Sequence, residues 1–190
     1  MSTSTNEESH FQSNDSSSLS VIIDKAIKGD QPAFRELYNL LSGKMYSLCL
    51  RYSGNTHDAN DLLQEGFIRV YKNLSSFKGH GSFEGWARRV FTNTCLDFLR
   101  RKKTSFADIE QETIQTKASD LTGYEKLTYD QLFGMIQELP SGYRTIVNLY
   151  MVEGYNHKEI ADMLNISEGT SKSQLHRAKS VLQEKLNKLN

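Results

Sequence analysis

Lys172, Ser173, His176 and Arg177 fall on one side of a helical run, and their side chains are suited to hydrogen-bonding base edges and phosphates. On the other side Leu175, Ala178 and Leu182 line up to face inward. Upstream, Ile160, Ala161 and Leu164 mark a second buried helix face. Between the two faces stands Asn165, a residue that tolerates the left-handed backbone of a C-terminal cap. Ser167 can then cap the following helix with its hydroxyl, and Glu168 suits the positive end of that helix dipole. This is the layout of a helix-turn-helix, whose second helix enters the major groove. A helical hairpin with a solvated polar face has the same local pattern, so the rest of the chain must decide between them.

Composition narrows the choice only a little. With 23 basic and 23 acidic residues in 190 the formal charge is zero, and no global positive field advertises nucleic acid. The distribution says more: Arg88 and Arg89 precede the block Arg100, Arg101, Lys102 and Lys103, and an acidic stretch with Asp108, Glu110, Glu112 and Asp120 follows. Cys49 and Cys95 each sit in an apolar helical pattern outside any zinc-ligand spacing, which reads as two reduced core thiols of a cytosolic protein and gives no metal site. No segment reaches the ~18 apolar residues of a membrane span, so a cytoplasmic protein without membrane insertion is expected.

The elements that must position these residues are all helical, and the fold class expected is all-α, with two small helical domains joined by a flexible acidic linker. Residues 1–18 are rich in Ser, Thr, Asn and Glu and are expected to form a disordered tail. A first domain over 19–103 begins with a helix carrying Val21, Ile22 and Ala26. The stripe Phe34, Leu37, Tyr38, Leu41, Met45, Leu48 and Tyr52 predicts the next helix. A third, His57 to Asn73, places Ala59, Leu62, Leu63, Val70 and Tyr71 inward, and leaves Phe67 off that stripe and exposed. After a Gly-containing loop over 75–82, a fourth helix from Phe83 buries Phe83, Ala87, Val90, Thr94 and Phe98; Trp86 beside them reads better as core than as a base contact. Residues 104–123 read as the linker. In the second domain, 124–190, Leu127, Leu132, Met135, Ile136 and Leu139 form a helix stopped by Pro140, and Tyr143, Ile146, Val147 and Tyr150 form another that ends by Gly154. The helix-turn-helix follows.

Four segments in order carry a resemblance. Asp58-Ala59-Asn60-Asp61-Leu62-Leu63-Gln64-Glu65-Gly66-Phe67 resembles the polymerase-binding segment of bacterial sigma factors. Phe83 to Asn93 with Asp97 to Arg101 resembles their promoter-opening segment, and Leu139-Pro140 and Ser167 to Thr170 also match. Over residues 20 to 187 the chain resembles a two-domain sigma factor of the extracytoplasmic-function (ECF) type. The resemblance implies a non-enzymatic factor, without cofactor, that binds core RNA polymerase and directs it to promoter −10 and −35 elements. It implies polymerase contacts at Asp58, Asp61, Gln64, Glu65 and Phe67, toward the clamp helices of the largest subunit, with a second contact to the flap of the second-largest. For the −10 element it implies Phe77, Lys78, His80, Ser82, Arg88, Arg89, Asn93, Arg100 and Arg101. For the −35 element it implies Lys172, Ser173, His176 and Arg177, with Gly169 and Thr170 near phosphates. Lys172 and Arg177 suit either a phosphate or a guanine. An anti-sigma protein is a further implied partner.

The chain departs from the usual family pattern in places. Ser171 stands where an aliphatic residue is frequent, Ala87 and Phe91 replace a usual Leu and Ala, and Gly66 weakens its helix by roughly 0.5–1 kcal/mol relative to Ala. Two rival functions stay open on residues alone. A stand-alone regulator would use the same helix-turn-helix. A nucleic-acid enzyme would need a metal cluster, a phosphate-cradling loop or a paired acid and base, and no such motif is present.

Overall fold

The computed structural model describes residues 8–102 and 128–188, the side chains of 8–17 and of Tyr129 excepted. Every element among them is helical, so the fold is all-α. The helices are α1 (Glu8–Ile27), α2 (Gln31–Ser53), α3 (Thr56–Asn73), α4 (Phe83–Arg101), α5 (Tyr129–Gln137), α6 (Ser141–Val147), α7 (His157–Leu164) and α8 (Glu168–Asn187). A 3-10 turn at Leu74–Ser76 follows α3, and a π-helical turn at Asn148–Val152 continues α6. The expected linker, 104–123, and Leu127 lie outside the described residues.

The chain divides into two compact units, residues up to 49 with 60–94, and residues 50–59 with those from 95 onward. This division does not coincide with domains at 19–103 and 124–190, because α2 and α4 each run on into the second unit.

In the first unit the tail differs from expectation. Residues 8–18, read as disordered, belong to α1. Once Ile23 and Ala26 are buried and nucleate the helix, each further residue extends it at little cost. Gly29 with φ +89° ends α1, and the Asp30 side chain accepts the Ala33 N–H at 2.8 Å to cap α2. Leu37, Leu41, Met45 and Leu48 are buried as their spacing predicts. Val21 and Tyr38 are exposed, not inward. On α3 the buried residues are Ala59, Leu62, Gly66, Phe67 and Val70, while Tyr71 is 47% exposed, so the inward stripe is turned toward Phe67. On α4 it runs through Phe83, Ala87, Phe91, Cys95 and Leu99, with Val90 and Phe98 only partly covered. Cys49 and Cys95 are buried and form no disulfide.

In the second unit, Asn148 Nδ2 donates to the Arg51 carbonyl at 3.1 Å and Gln137 Nε2 to the Leu50 carbonyl at 3.2 Å. Both carbonyls lie in the last turn of α2, and that of Leu50 also accepts the Gly54 N–H at 3.1 Å. The buried Glu153 carboxylate meets Arg51 at 2.8 Å. Leu139, Tyr143, Ile146, Ile160, Leu164, Leu175, Ala178 and Leu182 form the core, while Leu132 and Tyr150, expected inward, are about two-fifths exposed at 40% and 38%.

Candidate nucleic-acid and partner interfaces

The turn between α7 and α8 has the predicted geometry. Asn165 takes φ 55° and ψ 49°, the left-handed cap, and Ser167 Oγ accepts the Thr170 N–H at 2.9 Å. A capping box at the other end of α7 joins Asn156 and Glu159, each side chain accepting the other's N–H at 3.0 and 2.8 Å. With both ends of α7 fixed, α8 turns Ser171, Gln174, Leu175 and Ala178 inward. Lys172, Ser173, His176, Arg177 and Gly169 are exposed together on the opposite face, and Thr170 is partly covered. Lys172 reaches Glu168 at 3.3 Å, an exposed pair of little strength that leaves the ammonium able to turn to another anion. The Ser173 hydroxyl is engaged with the Thr170 carbonyl at 3.0 Å.

Residues 77–93 of the expected −10 set lie in the first unit, whereas Arg100 and Arg101 lie in the second. Phe77 is half-buried, edge-on to Phe83 at 5.3 Å and 5.7 Å from Trp86, which stacks on Phe83 at 5.5 Å. Trp86 is thus partly covered, shared between core and surface. Beyond this cluster Gly79 and Gly81 adopt φ +74° and +82°, bending a loop that exposes Lys78 and His80. Ser82 Oγ accepts the Gly85 N–H at 3.0 Å, so this hydroxyl caps α4. Arg89 and Asn93 share an exposed face. Arg88 contacts Glu84 at 3.2 Å, and Lys44, 2.6 Å from the same residue, is the main cause holding the Glu84 carboxyl below its usual range. Arg100 pairs with Asp97 at 2.8 Å and donates to the Met163 carbonyl.

The docking set on α3 needs revision. Asp61 and Gln64 are exposed, and Glu65, partly covered, pairs with Arg69 at 2.6 Å. Phe67, expected as an exposed anchor, is only 5% exposed, held between Tyr38 at 4.4 Å and Phe91 at 5.1 Å. Gly66 makes room for this: the Phe91 ring occupies the space that a side chain at 66 would take, and Phe67 packs edge-on against that ring. The apolar side chain that does stand beside the acidic face is Ile68, 53% exposed. Its spacing of four from Gln64 and seven from Asp61 is the signal that could have marked it. Asp58 has structural work: its N–H and carboxylate both meet Asn55, at 2.9 and 2.7 Å, and Lys102 Nζ lies 2.6 Å away. Lys102 and then Asn55 hold that carboxyl below the usual carboxylate range.

A contact that sequence reasoning missed joins α7 to α8. His157 Nδ1 lies 2.9 Å from the buried Ser171 hydroxyl, and its ring stacks on Tyr150 at 4.5 Å. A serine on an inward stripe implies a polar partner, which was the available signal. Among the described residues no group of three or more His, Cys, Asp or Glu could hold a metal, and no helix is long and apolar enough to cross a membrane.

Residues 37–105 match the family model for sigma-70 region 2, and residues 129–182 that for sigma-70 region 4. Over 177 residues the chain is 35% identical to the ECF RNA polymerase sigma factor SigW of Bacillus subtilis (strain 168), covering 85% of this chain and 93% of that protein. It is 31% identical over 181 residues to the ECF RNA polymerase sigma-E factor of Escherichia coli (strain K12), covering 89% and 94%. Among solved structures, the sigma factor RpoE in complex with the anti-sigma factor NepR from Bartonella quintana is similar in fold, with a TM-score of 0.52 and 21% identity over 83% of this chain and 98% of that one.

Proposed function

This chain belongs to the ECF sigma factors of RNA polymerase, non-catalytic factors of promoter-specific transcription initiation, and on that premise we propose how its surfaces divide the work. The α8 face reads the −35 element as duplex. The loop around Phe77 to Ser82, with Arg88, Arg89 and Asn93, holds the −10 element, and Arg100 and Arg101 of the second unit are a separate basic contact for the −10 DNA. Asp61, Gln64 and Glu65, with Ile68 in place of Phe67 as the apolar anchor, dock on the clamp helices of the largest polymerase subunit, and the second unit meets the flap of the second-largest. The observation that carries the −35 assignment is the joint exposure of Lys172, Ser173, His176 and Arg177 on a helix whose start is capped by Ser167. Presenting side chains near a helix N-terminus to base edges is what a recognition helix does.

Magnitudes favour capture of open DNA over active melting. Duplex stacking averages about 1.4 kcal/mol per step, so opening roughly ten steps costs on the order of 14 kcal/mol. Stacking on an aromatic returns only about 1–3 kcal/mol per base, and few aromatics border the loop. The polymerase must therefore contribute most of the opening. The factor works in the cytoplasm, without enzymatic activity of its own, and an anti-sigma protein restrains it.

Run-off transcription with core polymerase on genomic fragments tests the reading directly. Promoter-dependent transcripts that require the factor are expected. A protein that neither co-elutes with core polymerase nor yields transcripts would instead be a stand-alone DNA binder.

A further inference from the structure

His157 is the first residue of α7, at the far end from the turn that joins α7 to α8. Ser171 lies in the first turn of α8 and is 0% exposed. The Asn165 to Ser167 turn pins α8 to one end of α7, and the 2.9 Å contact between His157 Nδ1 and Ser171 Oγ pins it to the other. Two pins fix a tilt that one leaves free. The imidazole is itself held, stacked on Tyr150 at 4.5 Å with 22° between the ring planes. The Ser171 hydroxyl cannot turn to solvent, so losing the imidazole leaves a buried polar group without this partner.

The lever arm makes this matter for DNA. Arg177 lies ten residues beyond Ser167, ~15 Å along the helix at 1.5 Å per residue, so a tilt of about ten degrees moves it by about 2.5 Å. That exceeds the distance range within which a base-edge hydrogen bond survives, whereas a flexible side chain on a phosphate can follow the shift.

We infer that His157 is a positioning residue for −35 recognition: its ring, held against Tyr150, grips the buried Ser171 hydroxyl and sets the tilt at which α8 presents His176 and Arg177 to bases. The inference rests on the assignment of −35 reading to α8, and it concerns discrimination between sequences more than total affinity.

The test uses holoenzyme made from core polymerase and the full chain. Templates are the promoter mapped by run-off transcription and the same promoter carrying single base-pair changes in its −35 element; the readout is the transcript ratio, matched over changed. His157→Phe keeps an aromatic stack and loses the hydrogen bond, and Ser171→Ala removes the other partner. Each should lower the ratio about tenfold, the size of one lost base contact, and the double variant should fall no further than either single one. His157→Asn places an amide near the position of Nδ1 but gives up the Tyr150 stack, and should lose clearly less of the ratio than His157→Phe. The inference is overturned if His157→Phe and Ser171→Ala discriminate as wild type does, or if His157→Asn loses as much as His157→Phe at equal melting temperature. Should His157→Phe fail to fold, Ser171→Ala alone decides. Failure of the underlying reading has a different signature, since unsubstituted holoenzyme would then give no transcript or ignore every −35 change.

Discussion

A Cβ on Gly66 would lie 2.1 Å from Cε1 of the Phe91 ring, with Cδ1 and Cζ at 2.4 and 2.6 Å. The two residues are complementary. Phe91 fills the space that a side chain at 66 would take, and Phe67 packs edge-on against it with ring centroids 5.1 Å apart. Three features that looked separate in the sequence, a weak glycine, a large residue where alanine is usual and an off-stripe aromatic, have this one cause.

Gly66→Ala should therefore destabilise the protein even though it improves helix propensity. The propensity gain is roughly 0.5–1 kcal/mol, and forcing a methyl against a packed ring costs about 1–3 kcal/mol. Phe91→Ala alone should cost about 3–5 kcal/mol through the cavity it leaves. In the double variant the new methyl enters that cavity, so the summed losses should not add. Thermal melts of the four proteins measure the coupling, and strict additivity would mean that the clash relaxes elsewhere.

What was legible in the sequence was local. Asn165 and Ser167 were read correctly because cap geometry is decided by residues within one turn, and the core stripes of α2 and α8 followed from period alone. The burial of Phe67 is not legible in its own helix because it depends on Phe91, 24 positions away, and on the missing side chain of Gly66. The structural partner of Asp58 was not legible because Lys102 lies 44 residues further along the chain. The α2 carbonyls capped by Gln137 and Asn148, and the hydroxyl of Ser171 held by His157, are likewise pairings across long stretches of sequence that periodicity does not encode.

The docking face should separate by substitution. Asp58→Ala keeps the backbone bond to the Asn55 cap but removes the carboxylate that accepts from the Asn55 amide and meets Lys102, and should cost about 0.5–1.5 kcal/mol of stability, the usual net value of a hydrogen bond. Ile68→Ala should leave the melting temperature almost unchanged, since that side chain is 53% exposed, and weaken core-polymerase binding by about 1–2 kcal/mol. Asp61→Arg should weaken binding at low salt and matter less as salt is raised. Titrations of labelled factor with core polymerase, beside thermal melts, check all three; unchanged binding in both Ile68→Ala and Asp61→Arg would move the docking surface elsewhere.

Acidification should act in two separate windows. Burial, then the charge of Lys172, holds the His157 imidazole below its ordinary 6.5; Glu168 opposes this and Lys179 adds to it. The unfolded chain then takes up the proton first, so this contribution is whole above pH 6.5 and is lost as pH falls through the lower folded value. Asp58 and Glu84, held below 3.8 and 4.5, stabilise the fold above those values and lose that contribution only in stronger acid. Melting temperatures of wild type and His157→Asn from pH 7.5 to 3 should differ in slope just below 6.5 and run parallel below pH 4. Identical slopes throughout would mean that His157 titrates alike in the folded and unfolded chains.

Arg177 and Lys172 should prove to have different duties at the −35 element. Lys172 pairs with Glu168 at 3.3 Å on the surface, and its compact charge suits a phosphate that tolerates movement. Arg177 has a planar fork able to pair with both guanine acceptors. Arg177→Ala should cost about 1–3 kcal/mol at a preferred base pair and relax selection there, with polymerase binding intact. Lys172→Ala should weaken all −35 sequences alike and lower the salt slope by about one. Competition binding of holoenzyme to promoter fragments at several salt concentrations separates the two patterns, and an exchange of behaviour between the variants would assign the base contact to Lys172.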